Sequence, residues 1–309
     1  MSDVRLVASD LDGTLIDPTG AISEFTRSTL RAVEASGVHL VFVTGRPPRW
    51  MAPVVAETGH AGVAICANGA VVYDLHTERI ESVHALDADT ALEAARRLRE
   101  LMPEVAFAVE RVDADRRSLV EFGREPHYIP RWPTPDRPPL APIEELVAGG
   151  GIIKLLARVP VTDGQARTDA SRSGFTGSDS VGRGTIGPDP TSPRTDTPPV
   201  DALLTQALAA LNGLATVTHS NPNDTLLEVS AAGITKATAL EHLSAQHGVV
   251  AAQVVAFGDQ LNDLPMLQWA GRAIAVANAH PAVLAAVSEH TESVHDDGVA
   301  HALHRILDL

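Results

Sequence analysis

Short apolar runs recur in both ends of the chain, and they are continuous rather than alternating. They lie at residues 5–9, 39–44, 62–66, 254–258 and 273–277. Runs of this kind are typical of strands that are covered on both faces of a sheet. Between them lie helical stretches such as 22–37, where Ser23 is suited to cap the helix and Gly37 to end it. Alternating strands and helices predict an α/β fold with a Rossmann-like, doubly wound parallel sheet.

The middle of the chain has a different pattern. Alternating or irregular stretches surround one amphipathic helix at 90–101, which predicts a separate α+β domain. Residues 162–199 are rich in Gly, Ser, Thr, Asp and Pro, and this composition favours a flexible insertion over a functional lid. We therefore expect a first α/β segment at 1–78, the α+β domain with its insertion at 79–224, and a second α/β segment at 225–309.

Two aspartates, Asp10 and Asp12, end the first apolar run and are followed at once by Gly13 and Thr14. A charge at the end of a buried strand is costly unless it is paired or binds a metal ion. The nearest basic residue along the sequence is Arg5. Both aspartates are therefore candidate functional groups, while a turn at Asp12 and a cap at Asp10 explain the same pattern.

Three further segments carry polar residues that suit the same site. Thr44-Gly45 ends the second apolar run and leads into a predicted helix, whose first amides can hold an anion. Lys236, one of only two lysines in the chain, stands at a helix start, where a cation is unfavourable unless an anion lies beside it. The run at 254–258 is followed by three polar residues that share one face of a helix beginning there, namely Asp259, Asn262 and Asp263.

Together these segments provide carboxylates for a hard cation and hydroxyl, amide and ammonium donors for a phosphoryl group. Mg²⁺ prefers a few carboxylate oxygens, whereas zinc prefers Cys and His ligands, of which no suitable cluster occurs. In doubly wound sheets, ligands bind at the carboxyl ends of the strands. The sequence therefore predicts a site for Mg²⁺ and a phosphoryl group at that edge.

The composition narrows the range of partners. A formal charge of −15 over 309 residues argues against binding to nucleic acid or to an anionic membrane surface. Cys66 is the only cysteine, no signal peptide is recognised, and no apolar run approaches the roughly 18–20 residues of a membrane helix. We therefore expect a cytoplasmic protein with a small-molecule partner.

The four segments, taken in order, resemble the motifs of the haloacid dehalogenase (HAD) superfamily of aspartyl phosphotransferases. They are "DLDGT" at 10–14, "VTGR" at 43–46, Lys236 and "GDQLND" at 258–263. The long segment between the second and third motifs, together with "CANGA" at 66–70, is similar to the Cof-like sugar-phosphate phosphatases, which carry a C2-type α/β cap there. The insertion at 162–199 departs from that pattern.

The resemblance implies a role for each matching carboxylate. Asp10 would be the nucleophile that forms an aspartyl-phosphate, and Asp12 would be the general acid and base. Mg²⁺ would be held by Asp10, by Asp259 and by the backbone carbonyl of Asp12. An aspartate at position 12 favours phosphate ester chemistry over the dehalogenase and phosphonatase branches.

The resemblance also implies the groups that contact the substrate. The phosphoryl oxygens would be bound by Leu11, Thr44, Gly45, Lys236 and Asn262. Asp263 would orient Lys236 or a metal-bound water. Arg46 and Asn68 are possible substrate contacts, while an exposed charge at Arg46 and a hairpin turn at Asn68 are the alternatives.

The function expected from these motifs is that of a Mg²⁺-dependent phosphatase acting on a small phosphorylated metabolite, above all a sugar phosphate. A phosphohexomutase-like phosphotransferase shares the motifs, because it also forms an aspartyl-phosphate. A non-catalytic protein that binds a phosphorylated ligand is an alternative of another class. The sequence leaves the choice between monomer and homodimer open.

Overall fold

The structure is a computed structural model that describes residues 4–112, 121–132, 134, 138–159, 200–219 and 224–309. The predicted insertion at 162–199 lies outside these residues. The strands are β1 (Leu6–Ser9), β2 (His39–Val43), β3 (Val63–Cys66), β4 (Val71–Asp74), β5 (Arg79–Val83), β6 (Ala106–Arg111), β7 (Glu121–Arg124), β8 (Ile152–Arg158), β9 (Ala215–Thr218), β10 (Leu226–Ala231), β11 (Val254–Gly258), β12 (Arg272–Val276) and β13 (Glu289–Thr291). The α-helices are α1 (Glu24–Ala35), α2 (Met51–Thr58), α3 (Ala88–Leu101), α4 (Ile143–Val147), α5 (Val200–Ala210), α6 (Lys236–Gln246), α7 (Leu264–Trp269), α8 (Pro281–Ala286) and α9 (Gly298–Leu307).

The larger sheet has eight strands in the order β13-β12-β11-β1-β2-β3-β4-β5. All neighbours from β13 to β3 are parallel. The chain runs outward from β1 to β3 on one side and from β11 to β13 on the other, which confirms the predicted doubly wound sheet. The strands β4 and β5 are antiparallel to their neighbours. Only residues 67–70 connect β3 to β4, which is too short for the crossover that a parallel strand needs.

Helix ends in this core follow the capping chemistry of the sequence. The hydroxyl of Ser23 accepts a hydrogen bond from the Thr26 amide at the start of α1. Thr235 caps α6 in the same way by accepting from the amide of Thr238. The first residue of α6 is Lys236, so the N-cap interaction of Thr235 fixes where that ammonium group enters the core.

The second sheet has five antiparallel strands in the order β7-β6-β8-β10-β9, which confirms a separate α+β cap. Residues of α3, α4 and α5 pack on one face of this sheet in a cluster that includes Leu98, Ile143, Leu203, Leu155 and Val229. On the other face, Lys154 of β8 and Glu228 of β10 are buried against the core domain. One face of the cap sheet therefore stabilises the cap, and the other meets the core.

The strand pairing places both domain boundaries later in the chain than the sequence predicts. Strand β5 extends the core sheet to Val83, beyond the predicted boundary at 78. Strand β10 belongs to the cap sheet, so the cap continues to Ala231, beyond the predicted boundary at 224. In both places antiparallel pairing with the preceding strand keeps the chain in its sheet, which hydrophobic pattern alone does not reveal.

Candidate active site

The carboxyl ends of β11, β1, β2 and β3 lie side by side, because these strands are neighbours in the core sheet. Asp10 follows β1, Thr44 follows β2, Asn68 lies in the turn after β3, and Asp259 follows β11. Parallel strands place such residues at one edge of the sheet. The structure therefore brings the sequence-predicted groups together at the predicted edge.

Lys236 links two of the predicted carboxylates. Its Nζ donates to Oδ1 of Asp10 and to Oδ1 of Asp263, with both distances at 2.5 Å. All three side chains are buried, and that of Lys236 is only 1 % exposed. The cation at the start of α6 is thus matched by anions.

Asp263 is engaged through both of its oxygens. Its Oδ2 atom accepts from the backbone N–H groups of Asp259 at 3.0 Å and of Gln260 at 2.9 Å. The neighbouring Gly258 has no room for a side chain, since a Cβ there would lie 2.6 Å from the Cβ of Asp263. Asp263 therefore holds both Lys236 and the turn that carries Asp259.

Asp259 is oriented by two residues that were not among the predicted site residues. Its Oδ1 accepts from the Thr14 hydroxyl, and its Oδ2 accepts from Nε2 of the Gln260 side chain, both at 2.8 Å. Gly13 has φ +86°, and a Cβ there would lie 2.6 Å from Oδ2 of Asp259. Both Gly13 and Thr14 belong to the "DLDGT" motif, so the signal for them was present.

Burial and the charges of neighbouring groups together shift the pKa values in this cluster. Burial raises the pKa of Asp10 well above its ordinary value, against the opposing charge of Lys236. Burial and the nearby charge of Asp263 raise the pKa of Asp259 to about 6. Burial lowers the pKa of Lys236, but the charges of Asp10 and Asp263 outweigh it and raise that pKa above its ordinary value. The carboxylates outnumber the ammonium group, which favours binding of a divalent cation.

One carboxylate oxygen from each of Asp10, Asp259 and Asp263 lies within 4.8 Å of the others. This buried set of hard oxygen donors fits Mg²⁺. Asp10 and Asp259 are the two carboxylates that the sequence predicts as ligands. Asp263 already accepts from Lys236 and two amides, which suits its predicted orienting role. The Asp12 side chain lies outside this set.

Asp12 forms a bidentate ion pair with Arg46. Nε of Arg46 donates to Oδ2 of Asp12 at 2.8 Å, and Nη2 donates to Oδ1 at 2.5 Å. The Asp12 side chain is 56 % exposed, so this predicted acid and base faces the open side of the site. The pair places Arg46 beside Asp12, and its contact with a substrate stays a prediction.

The turn after β2 is held by backbone contacts on both sides. The Thr44 amide donates to the carbonyl of Ile65, and its carbonyl accepts from the Asn68 amide at 3.0 Å. The hydroxyl of Thr44 accepts from the Arg46 amide at 3.0 Å. Among the described residues, the predicted phosphate-binding amides of Leu11 and Gly45 donate to no acceptor. Both amides therefore keep a hydrogen-bond donor that no described acceptor uses, as the predicted role in phosphate binding requires.

Two cap residues reach this turn and its neighbours. Lys154 Nζ donates to the carbonyl of Gly45 and to Oε1 of Glu228, both at 2.6 Å. Oε2 of Glu228 accepts from Nδ2 of Asn68 at 2.9 Å, and Oδ1 of Asn68 accepts from Nδ2 of Asn262 at 3.1 Å. Lys154 and Glu228 were not predicted as site residues. The sequence feature that could have pointed to Lys154 is that the chain has only two lysines.

Comparison with known proteins identifies the family of the chain. The family model of the haloacid dehalogenase-like hydrolases matches residues 7–114 and 195–303. The putative phosphatase YxeH of Bacillus subtilis is 27 % identical over 307 residues, covering 98 % of each chain. A second relative from that organism, named 5-amino-6-(5-phospho-D-ribitylamino)uracil phosphatase YcsE, is 23 % identical over 97 % of this chain and 95 % of its own. A solved structure described as a HAD subclass IIB sugar phosphatase has a TM-score of 0.71 at 17 % identity, covering 99 % of this chain and 100 % of its own.

The chain belongs to the haloacid dehalogenase-like hydrolases. Within that family it is a Cof-like hydrolase and an enzyme of the phosphatase type, which confirms the predicted family and enzyme class. No helix in the described part of the chain is long and apolar enough to cross a bilayer.

Proposed function

We propose that this protein is a Mg²⁺-dependent phosphatase that hydrolyses a small phosphorylated metabolite, with a sugar phosphate as the leading class, through an aspartyl-phosphate. The observation that carries the proposal is the buried Asp10 carboxylate, hydrogen-bonded to Lys236 beside Asp259 at the carboxyl end of β1. The names of the relatives, which include a phosphorylated ribityl compound and a sugar phosphatase, support a small phosphate ester. Its location in the cytoplasm stays a prediction.

In the first step, an oxygen of Asp10 attacks phosphorus and the bond from phosphorus to the ester oxygen breaks. Asp12 gives its proton to the departing alkoxide, so that a neutral alcohol leaves. In the second step, Asp12 takes a proton from water, the water oxygen attacks phosphorus, and the acyl-phosphate bond breaks. Inorganic phosphate and the Asp10 carboxylate result.

Mg²⁺, when bound, neutralises charge on the phosphoryl oxygens and on the carboxylates. Asp10, Asp259 and the carbonyl of Asp12 would hold it. Asp263 keeps Lys236 and the Asp259 turn in place through its two oxygens. The ammonium group of Lys236 then donates to the nucleophile Asp10 and stabilises the negative charge of the phosphoryl group.

The phosphoryl oxygens would lie against the amides of Leu11 and Gly45, the hydroxyl of Thr44, and the side chains of Lys236 and Asn262. The two amides, which donate to no described acceptor, and the buried ammonium group provide fixed donors for these oxygens. Arg46 has to separate from Asp12 during the cycle, because a carboxyl group whose two oxygens accept from a guanidinium group cannot give a proton to the departing alkoxide. Arg46 is then free to contact the substrate.

The proposal is tested with purified protein, Mg²⁺ and a panel of sugar phosphates, with p-nitrophenyl phosphate as the general substrate. Wild-type protein should release inorganic phosphate, and Asp10→Asn should lower kcat by about 10⁴-fold or more, because the nucleophile is lost. Asp89→Asn, at an exposed position of α3, is the matched control and should keep full activity. Accumulation of an isomeric sugar phosphate without free phosphate would instead identify a mutase, and tight binding without turnover would identify a sensor.

A further inference from the structure

Lys154 is the other of the two lysines in the chain besides Lys236, and the proposed chemistry does not use it. It lies on β8 of the cap with a side chain that is 4 % exposed, and it forms a buried ion pair with Glu228 on β10. A buried ion pair is costly to desolvate and is a weak source of stability. Its contacts with the core domain therefore point to another role.

The first contact fixes the turn that holds the predicted phosphate donors. Lys154 Nζ donates to the Gly45 carbonyl at 2.6 Å. That carbonyl shares a planar peptide unit with the amide of Arg46, so holding one end sets the direction of the other. The Arg46 amide donates to the hydroxyl oxygen of Thr44 at 3.0 Å. The O–H of Thr44 itself donates to no acceptor among the described residues, so it is left to donate to an anion.

The second contact fixes two carboxamides. Oε2 of Glu228 accepts from Asn68, so the NH₂ group of Asn68 must face the carboxylate and its Oδ1 must face away. That Oδ1 accepts from Nδ2 of Asn262 at 3.1 Å. This chain of hydrogen bonds therefore sets which end of the Asn262 amide is nitrogen, and one N–H of that group stays available for a phosphoryl oxygen.

We propose that Lys154 and Glu228 are positioning residues of the phosphoryl site, acting from the cap on Thr44 and Asn262. The inference rests on the proposed function for the identity of the anion, which is a phosphoryl group. Neither residue touches the reacting atoms. Both act through hydrogen bonds that leave one donor of Thr44 and one of Asn262 directed at the ligand.

The buried ion pair of Arg49 and Glu110, which joins the core to the cap, provides a matched control. Nη2 of Arg49, in the core, lies 2.6 Å from Oε1 of Glu110 on β6, and both side chains are at least nine-tenths buried. Glu110 is the direct cross-strand neighbour of Lys154. The hydrogen bonds of the described residues link this pair neither to the Thr44 turn nor to the two carboxamides. It therefore joins cap to core without contacting the phosphate donors.

The experiment compares Lys154→Met with Arg49→Met and Glu228→Gln with Glu110→Gln. Binding of inorganic phosphate in the presence of Mg²⁺ is measured by titration calorimetry, and kcat is measured with p-nitrophenyl phosphate. We expect Lys154→Met and Glu228→Gln to weaken phosphate binding by about tenfold or more and to lower kcat by about tenfold to a hundredfold. The two control variants should change phosphate binding by less than about threefold.

Circular dichroism and thermal unfolding establish that each variant is folded before it is titrated. If folded Lys154→Met and Glu228→Gln proteins bind phosphate like the wild type, or if the control pair weakens binding equally, the positioning role is wrong. Phosphate binding needs no turnover, so a wild type that binds phosphate but hydrolyses no ester contradicts the proposed function alone.

Lys154→Arg, with Arg49→Lys as its control, covers the case in which the Met variants do not fold. Arginine keeps the positive charge, but its planar fork cannot place a donor where the lysine Nζ meets both the Gly45 carbonyl and Glu228. We expect Lys154→Arg to weaken phosphate binding by about threefold or more. Wild-type affinity in folded Lys154→Arg would overturn the proposal.

Discussion

Asp12 and Arg46 show how one ion pair constrains the proposed chemistry at the scale of single residues. A general acid matters most where the leaving group is a poor one, such as the alkoxide of a sugar. The p-nitrophenolate ion is stable in water and can leave without a proton. Asp12 is needed as a base in the second step with either kind of ester, because both pass through the same aspartyl-phosphate.

Asp12→Asn should therefore separate the two steps. With p-nitrophenyl phosphate we expect a burst of about one equivalent of p-nitrophenol per protein, followed by turnover about 10²- to 10⁴-fold slower than wild type. With glycerol 3-phosphate the burst should be absent, because the first step also lacks its acid. Rapid-quench measurement of both products makes the comparison. A burst of equal size with both esters would contradict the assignment of Asp12 as the acid.

Asp259 leads to a prediction about pH. Its pKa is raised from 3.8 to about 6 in the folded chain. The unfolded chain loses this proton near the ordinary value, so without metal this group lowers the free energy of unfolding as the pH rises from 3.8 to about 6, and the loss persists above that range. A divalent cation binds the charged form and offsets the loss.

The Mg²⁺-dependent rise in Tm should therefore be larger at about pH 7.5 than at about pH 5. Differential scanning calorimetry with Mg²⁺ or with EDTA at each pH measures the two shifts. Asp259→Asn should show a small Mg²⁺ shift at both values, since its side chain has no charge to neutralise. Equal shifts for the wild type at both pH values would argue against Asp259 as a ligand.

At the scale of elements, the sequence predicts the carboxyl ends of strands well, because Asp10, Thr44 and Asp259 each end a continuous apolar run. It could not predict the cap contacts. Strand β8 is buried along its whole length, so no alternation shows that Lys154 lies on the face toward the core. Which face of β8 meets the core depends on how the cap packs against the core. A local sequence pattern does not contain that information.

In the turn after β3, one glycine lies against the start of α6. Gly69 has φ +107°, and a Cβ there would lie 2.3 Å from the carbonyl oxygen of Thr235, the N-cap of α6. Gly69→Ala should therefore lower the free energy of unfolding by about 2 to 4 kcal/mol, through backbone strain and overlap. It should also lower kcat, because α6 carries Lys236 at its first position.

Gly59→Ala is the matched control for this prediction. Gly59 has φ +73°, but no atom lies within 4 Å of the position that a Cβ would take, so only the left-handed backbone is penalised. We expect a loss of about 1 to 2 kcal/mol and normal kcat. Urea unfolding and p-nitrophenyl phosphate assays measure both variants. Equal effects of the two substitutions would show that contact with the Thr235 carbonyl is unimportant.

At the scale of the whole molecule, the described residues place two buried ion pairs where the cap meets the core. The pair of Lys154 and Glu228 contacts the candidate site, whereas the pair of Arg49 and Glu110 spans the two domains directly. Removing one partner of a buried pair leaves an uncompensated charge, while replacing both with apolar residues removes the desolvation cost as well. The pair of Arg49 and Glu110 can therefore be tested for stability without removing a hydrogen-bond partner of Lys154.

Arg49→Met should lower the free energy of unfolding by about 3 to 5 kcal/mol, because the Glu110 carboxylate stays buried without its partner. The double variant Arg49→Met/Glu110→Met should recover most of that loss, since two apolar side chains of similar volume then meet at the same place. Urea unfolding of the wild type, both single variants and the double variant gives the complete cycle. A double variant as unstable as Arg49→Met would mean that packing around Arg49, rather than its charge, joins the cap to the core.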